Sequence, residues 1–245
     1  TLLSFYPHWV DRYGVDLSDD VDEVGAWTWS AKTRFPGPEI DRAFAGKKFD
    51  LITAASTLEE VDEPRAFLAR VKSLLTPDGV FCLETLYAPM ALTHTAADTF
   101  ASGISAVYSL TVLERLLRDC ELKVFRGALT EKDGGSIRLF ITHAESPDYD
   151  FDPWYERLAQ LWDEENALGL RSIQPYQAFV ARAADIRAAF ADQIADFAKR
   201  GQSVHLFGSD AGAAMIYAWA GAKAEIIEAA VAATAFEDGA RLCAG

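Results

Sequence analysis

Along the chain the apolar positions switch repeatedly between a period of two and a period near 3.6. Arg12 to Leu17, Glu23 to Trp29, Phe49 to Ser56, Gly79 to Thr85, Glu121 to Leu129 and Ser136 to His143 read as strands, with helical stretches between most of them. This alternation predicts an α/β sheet with crossover helices. The clearest helix runs from Pro64 to Leu75, where Phe67, Leu68, Val71, Leu74 and Leu75 form an apolar stripe before Pro77-Asp78-Gly79 turns the chain. A second, Tyr108 to Asp119, has Leu110, Leu113, Leu116 and Leu117 on one face and Ser109 as its N-cap.

Between Glu145 and Phe151 the composition shifts to the acidic, proline-bearing ESPDYDF, which marks a linker. The domain boundary is accordingly expected between residues 146 and 147. Beyond it, Pro153 to Leu168 and Pro175 to Arg200 read as helices, the second with Phe179, Ile186, Phe190, Ile194 and Phe197 on its apolar side. Ser203 to Phe207, Ala213 to Trp219 and Ile226 to Val231 then form one βαβ unit. Residues 147–245 thus read as a helical linker followed by a small α/β module.

Composition narrows the function. Half of the 245 residues are hydrophobic, the balance of a globular chain. No apolar run reaches the length of a bilayer span and the first residues lack the pattern of a signal peptide, so a cytoplasmic protein without a membrane partner is expected. A net charge of -14 would repel a phosphate backbone, so nucleic acid is not an expected ligand. Cys82, Cys120 and Cys243, like His8, His94, His143 and His205, lack metal-ligand spacing, and no metal site is expected.

Asp16 and Leu17 stand at the carboxyl end of a predicted strand, where open α/β sheets bind ligands and a carboxylate can accept both ribose hydroxyls. The alternative is an acid in a turn, since Ser18-Asp19-Asp20 follows. Gly134-Gly135-Ser136 with Arg138 admits two readings. One is a tight turn opening a strand. The other is close backbone approach of a ligand, with the guanidinium offered to a phosphate or carbonyl oxygen. Trp27 and Trp29 alternate with Val24 and Ala26; they either pack in the core or flank an adenine ring.

The run from Phe49-Asp50-Leu51-Ile52 through Thr53-Ala54-Ala55-Ser56, Leu58-Glu59-Glu60-Val61 and the helix to Leu75-Thr76-Pro77-Asp78-Gly79 closely resembles the fourth strand, active-site turn, helix and fifth strand of class I methyltransferases. Tyr108-Ser109-Leu110, Leu113-Glu114-Arg115-Leu116 and Gly134 to Arg138 resemble the sugar C-methyltransferases that act on nucleotide-linked deoxyketosugars. Gln202 to Trp219 resembles their carboxyl-terminal domain. The resemblance implies a Rossmann-like methyltransferase sheet followed by a second small Rossmann-like module, with S-adenosylmethionine as cofactor and a small-molecule substrate. It places Asp16 and Leu17 at the ribose and Ala54, Ala55 and Ser56 at the methionine end, with Tyr87, Tyr108, Gly135, Ser136 and Arg138 toward substrate.

The sequence departs from that pattern in four places. Glu60 stands where many members have histidine. A Tyr-His-Glu-His run ahead of the Tyr108-like position aligns with Ala101-Ser102-Gly103-Ile104, none of which titrates usefully near neutrality. Carbon methylation needs a base, and His94, Tyr87, Tyr108 and Glu84 are the candidate replacements, with His94 and Tyr108 the expected catalytic pair. The relatives' four-cysteine zinc module is absent from this sequence. Thr1-Leu2-Leu3 resembles the start of the helix after the glycine-rich cofactor loop, which puts the first strand and that loop outside the chain. A sheet without that middle strand would hold its neighbours about 9 to 10 Å apart, two strand spacings, and leaves room for a dimer that completes it.

Three functions follow as expectations: methyl transfer to a small molecule such as a nucleotide-linked sugar, through carbon or oxygen; a non-catalytic relative serving binding or assembly; and a nicotinamide-dependent oxidoreductase. The third is the weakest, because Gly208-Ser209-Asp210-Ala211-Gly212 lacks the third glycine of the dinucleotide fingerprint.

Overall fold

A computed structural model describes residues 2–17, 28–100, 103–149, 151–207, 211–221 and 227–231. The element order is β1 (Arg12–Asp16), β2 (Thr28–Lys32), α1 (Pro38–Ala43), β3 (Phe49–Ala55), α2 (Pro64–Leu74), β4 (Leu75–Leu86), α3 (Ala88–His94), α4 (Leu110–Asp119), β5 (Leu122–Thr130), β6 (Ser136–His143), α5 (Asp152–Leu168), α6 (Gln174–Lys199), β7 (Val204–Phe207), α7 (Ala211–Ala220) and β8 (Ile227–Val231). The strands form three sheets: parallel β1-β2, the four-stranded β3-β4-β6-β5, and parallel β7-β8. In the central sheet β3 and β4 are parallel, while β6 runs antiparallel to both β4 and β5.

One buried cluster holds the central sheet. Phe67, Leu68 and Val71 of α2 and Leu110, Leu113, Leu116 and Leu117 of α4 pack with Phe81 and Leu83 of β4 and Ile137, Leu139 and Ile141 of β6. These are the stripes that the helical period marks, and α4 starts at its expected cap: the Ser109 hydroxyl accepts the Val112 N–H at 3.3 Å. Each large aliphatic side chain buried there contributes about 1.5–3 kcal/mol.

Among the described residues no ladder joins β1-β2 to β3. Side chains bridge the two instead. Tyr13 and Val15 of β1 and Phe49 and Ile52 of β3 pack on the same cluster, built of Ile40, Phe44 and Leu74. The Tyr13 ring meets Phe49 edge-on at 5.2 Å, and Trp29 packs against Phe44 at 5.1 Å, so Trp29 serves packing. The expected partner Trp27 lies outside the described residues. Leu51, in β3 at the edge of the central sheet, is 44% exposed.

The stretch expected as a linker is held down. Tyr149 stacks on Phe125 at 4.5 Å and its hydroxyl donates to the Asp78 carbonyl at 2.7 Å, while Arg126 lies over the Phe140 and Trp154 rings. Helix α5, expected beyond the domain boundary, packs on the central sheet: Leu158 and Leu161 join its core, and a Cβ added to Gly127 of β5 would lie 3.0 Å from Leu158 Cδ2 and 3.4 Å from Leu161 Cδ1. Helix α6 is tied to α3, since Arg182 donates to the Leu92 carbonyl at 2.5 Å and the Thr95 hydroxyl at 2.9 Å. No helix among the described residues is long and apolar enough to cross a membrane. The Gly208-Ser209-Asp210 turn and Cys243 lie outside the described residues.

Helices α4 and α5 also carry a titrating group. Trp162 Nε1 donates to Glu114 Oε2 at 2.8 Å, and burial pushes the Glu114 carboxyl up to about 7 against that bond. A carboxyl whose folded pKa exceeds its unfolded value loses stability as pH rises between the two, here from about 4.5 to about 7. Stability is therefore expected to fall by about 1–2 kcal/mol over that window, after allowing for partial exposure, and Glu114→Gln to flatten the profile. Urea midpoints at pH 5 and pH 8 measure it; an unchanged difference in the variant would exclude Glu114 as the source.

Candidate active site

The carboxyl ends of β3 and β4 bring the sequence-marked residues together. Register pairs Ala55 of β3 with Glu84 of β4, and Glu84 with Arg138 of β6, so three strands place these residues in one row on one face. Arg138 grips Glu84 through Nε at 2.8 Å and Nη2 at 2.6 Å; the Glu84 side chain is 8% exposed and that of Arg138 is 47%. The guanidinium thus neutralises a nearly buried carboxylate while leaving edge and face toward solvent. Glu84, expected only as a possible base, is committed to this pair.

One residue past β3, Ser56 adopts a left-handed φ of 50°, an uncommon conformation that turns the chain sharply at the strand end. Its N–H donates to the Glu84 carbonyl at 3.0 Å. Its hydroxyl donates to Asp133 Oδ2 at 3.3 Å and accepts from Lys132 Nζ, which also pairs with Asp133 at 2.8 Å. The tip of the β5-β6 hairpin therefore reaches over the end of β3. Below it, Glu59 is buried, accepts from the Thr85 hydroxyl at 2.7 Å, and burial raises its carboxyl above the ordinary range. Lys132, Asp133 and Glu59 escaped the sequence reading; the only signal for the first two was their place beside the glycine pair.

The remaining expected residues fall in different surroundings. Asp16 and Leu17 are exposed at the end of β1, and the Asp16 carbonyl accepts the Thr33 N–H at 2.9 Å. His94 ends α3 on the surface with Nδ1 3.4 Å from the Gly134 carbonyl. As a carbonyl only accepts, Nδ1 is the donor in that contact.

Tyr87, expected toward substrate, is 2% exposed and its hydroxyl donates to Glu165 at 2.9 Å. Burial first, then the Glu165 charge, raises its phenol. Tyr108, expected as catalytic, is buried and donates to the Leu58 carbonyl at 3.4 Å, with burial again raising its phenol. Neither hydroxyl is a base near neutrality, because each is a buried donor to an internal acceptor. Ser136 is buried and donates to the Lys132 carbonyl at 3.1 Å. Gly135 faces Met90 rather than an open cleft: a Cβ there would lie 2.4 Å from Met90 Cβ. The glycine pair therefore serves a turn packed on α3. Among the described residues no group of three or more His, Cys, Asp or Glu side chains is placed to hold a metal.

The family described as a methyltransferase domain matches residues 1–126, and the C-methyltransferase C-terminal domain matches residues 131–244. The chain belongs to the methyltransferase-domain family, and its described residues have an α/β fold. Similar solved structures include magnesium protoporphyrin IX methyltransferase from Synechocystis with bound SAH, at 18% identity over 54% of this chain and 63% of that one, TM-score 0.40. A S-adenosylmethionine-dependent methyltransferase from Clostridium acetobutylicum shares 14% identity over 55% of this chain and 75% of that one, TM-score 0.44. A pericyclic reaction enzyme shares 12% identity over 58% and 39%, TM-score 0.44. The chain thus spans 63% of the first of these proteins and 39% of the third. No curated protein matches the chain.

Proposed function

We propose that this chain binds S-adenosylmethionine across the carboxyl ends of β1 and β3 and takes part in methyl transfer to a small molecule, a nucleotide-linked sugar. The observation that carries the reading is the row of Ala55, Glu84 and Arg138 beside the Ser56 turn, on a chain whose two halves match methyltransferase domains. The donor set suits the cofactor: Asp16 offers an exposed carboxylate to two ribose hydroxyls, while Ala54, Ala55 and Ser56 are small enough to border its methionine end. When bound, S-adenosylmethionine supplies an electrophilic methyl group on a sulfonium.

The chain's own residues then orient the acceptor and take its proton. Arg138, half exposed and fixed by Glu84, presents N–H groups to a phosphate or carbonyl oxygen. The Lys132 ammonium at the hairpin tip adds a second cation. His94 Nε2 is the acceptor for the proton leaving the substrate carbon or hydroxyl. Catalysis on this plan is mostly positioning.

Calorimetric titration of the 245-residue chain with S-adenosylmethionine is expected to show saturable binding, weakened about tenfold or more by Asp16→Ala, the cost of a charge-assisted pair of hydrogen bonds. Absence of binding at millimolar cofactor would refute the reading. One observation favours a second reading, a non-catalytic relative that serves binding or assembly: among the described residues no ladder joins β1-β2 to β3, so the strand ends proposed to flank the cofactor do not share a sheet. It predicts a folded chain with no affinity for the cofactor.

A further inference from the structure

A carboxylate from the second half of the chain, Glu165, packs into the first module. Glu165 of α5 is 4% exposed and accepts from four donors. These are the Tyr87 hydroxyl at 2.9 Å, the Leu110 N–H, the Thr111 N–H at 3.1 Å and the Thr111 hydroxyl at 2.7 Å. Leu110 and Thr111 open α4, where unpaired N–H groups and the helix dipole favour an anion. Each of the two Glu165 oxygens accepts two donors, so the buried side chain leaves no acceptor site unfilled.

From this carboxylate the bonding runs to both sides of the candidate site. Toward the hairpin, the Tyr87 N–H donates to the Gly135 carbonyl at 3.1 Å, in the turn that carries Lys132 and Asp133. Toward β3, Tyr108 lies two residues before α4; its carbonyl accepts the Ala88 N–H at 2.8 Å and its hydroxyl donates to the Leu58 carbonyl, just past the Ser56 turn. We propose that Glu165 is a positioning residue through which the C-methyltransferase-like half of the chain sets the separation between the Ser56 turn and the 132–135 hairpin tip. Its consequence for catalysis rests on the methyl-transfer reading; the mechanical coupling does not.

Glu165→Gln keeps the shape but turns one acceptor oxygen into an NH₂ facing donors, whereas Trp162→Phe removes the neighbouring α5-to-α4 bond to Glu114 and leaves the network intact. Amide hydrogen exchange is compared at a temperature where all proteins are folded, alongside titration with S-adenosylmethionine. In Glu165→Gln the Ser56, Tyr87 and Gly135 amides, all hydrogen-bonded, are expected to exchange about tenfold faster or more and cofactor affinity to fall similarly; in Trp162→Phe both stay within about twofold. If Glu165→Gln does not fold, Thr111→Val, which deletes one of the four donors, is expected to show the same pattern at smaller amplitude. Acceleration confined to Leu110–Val112, or equal in the Glu165 and Trp162 variants, overturns the proposal. Wild-type protein that fails to bind cofactor overturns the methyl-transfer reading alone, because the exchange comparison still decides the coupling.

Discussion

Gly135→Ala is expected to lower the thermal midpoint by roughly 10 °C, corresponding to about 3–5 kcal/mol for a chain of this size. Two costs add. Gly135 has φ 136°, a backbone region that side chains rarely occupy, and its new Cβ would fall 2.4 Å from Met90 Cβ. The clash is with an atom fixed to the α3 backbone, so no rotation of the methionine relieves it. Gly46→Ala is the control: φ is 73° and nothing lies within 4 Å of an added Cβ, so only the conformational cost of about 1 kcal/mol is expected. Equal losses in the two variants would show that the fit of the hairpin turn against α3 contributes nothing.

Arg138→Met is expected to destabilise by about 2 kcal/mol, below the 3–5 typical of a fully buried pair because the arginine is half exposed. The cost comes from Glu84, left with a charge in a position that is 8% exposed. Adding Glu84→Gln to Arg138→Met is expected to recover most of the loss, since the carboxylate no longer needs a counter-charge. Denaturant midpoints of the two single variants and the double variant close the cycle. A double variant no more stable than Arg138→Met would mean that the arginine stabilises by packing its stem and not by neutralising Glu84.

The two halves of this site were legible to different degrees. Asp16, Ser56 and Arg138 stand out in the sequence because strand ends, small-residue bends and glycine pairs are local patterns. That Arg138 is bound to Glu84, or that Lys132 and Asp133 reach Ser56, depends on register between β4 and β6 and on where the hairpin tip lands, which no local pattern encodes. The partners of Tyr87 and Tyr108 were hidden for the same reason: a tyrosine near a site motif looks the same in sequence whatever its hydroxyl meets, here Glu165 and the Leu58 carbonyl.

The elements show the same division. Helix α4 was readable from its leucine stripe and serine cap, and α6 from its alanines and the apolar side of Phe179, Ile186, Phe190, Ile194 and Phe197. Helices α1 and α3 span six and seven residues, too few for a period to emerge, and only a proline at the start of each marks them. Strand β4 begins at Leu75, before the Pro77-Asp78-Gly79 triplet that predicts a turn, because a register shift opposite Phe49 to Leu51 absorbs those residues. The acidic linker is pinned by Tyr149 stacking on Phe125, a contact between residues distant in sequence.

By itself the sequence determined the kinds of element, their order and the buried face of each main helix, because period, capping and turn chemistry act over a few residues. It also carried the methyltransferase likeness, which the family matches bear out. Only the tertiary structure decided which carboxylate meets which cation, that α5 closes onto the central sheet, and that, among the described residues, β1-β2 leans on β3 through side chains instead of a ladder. Those outcomes depend on packing between segments far apart along the chain, where many pairings satisfy the same local preferences and shape and charge select among them.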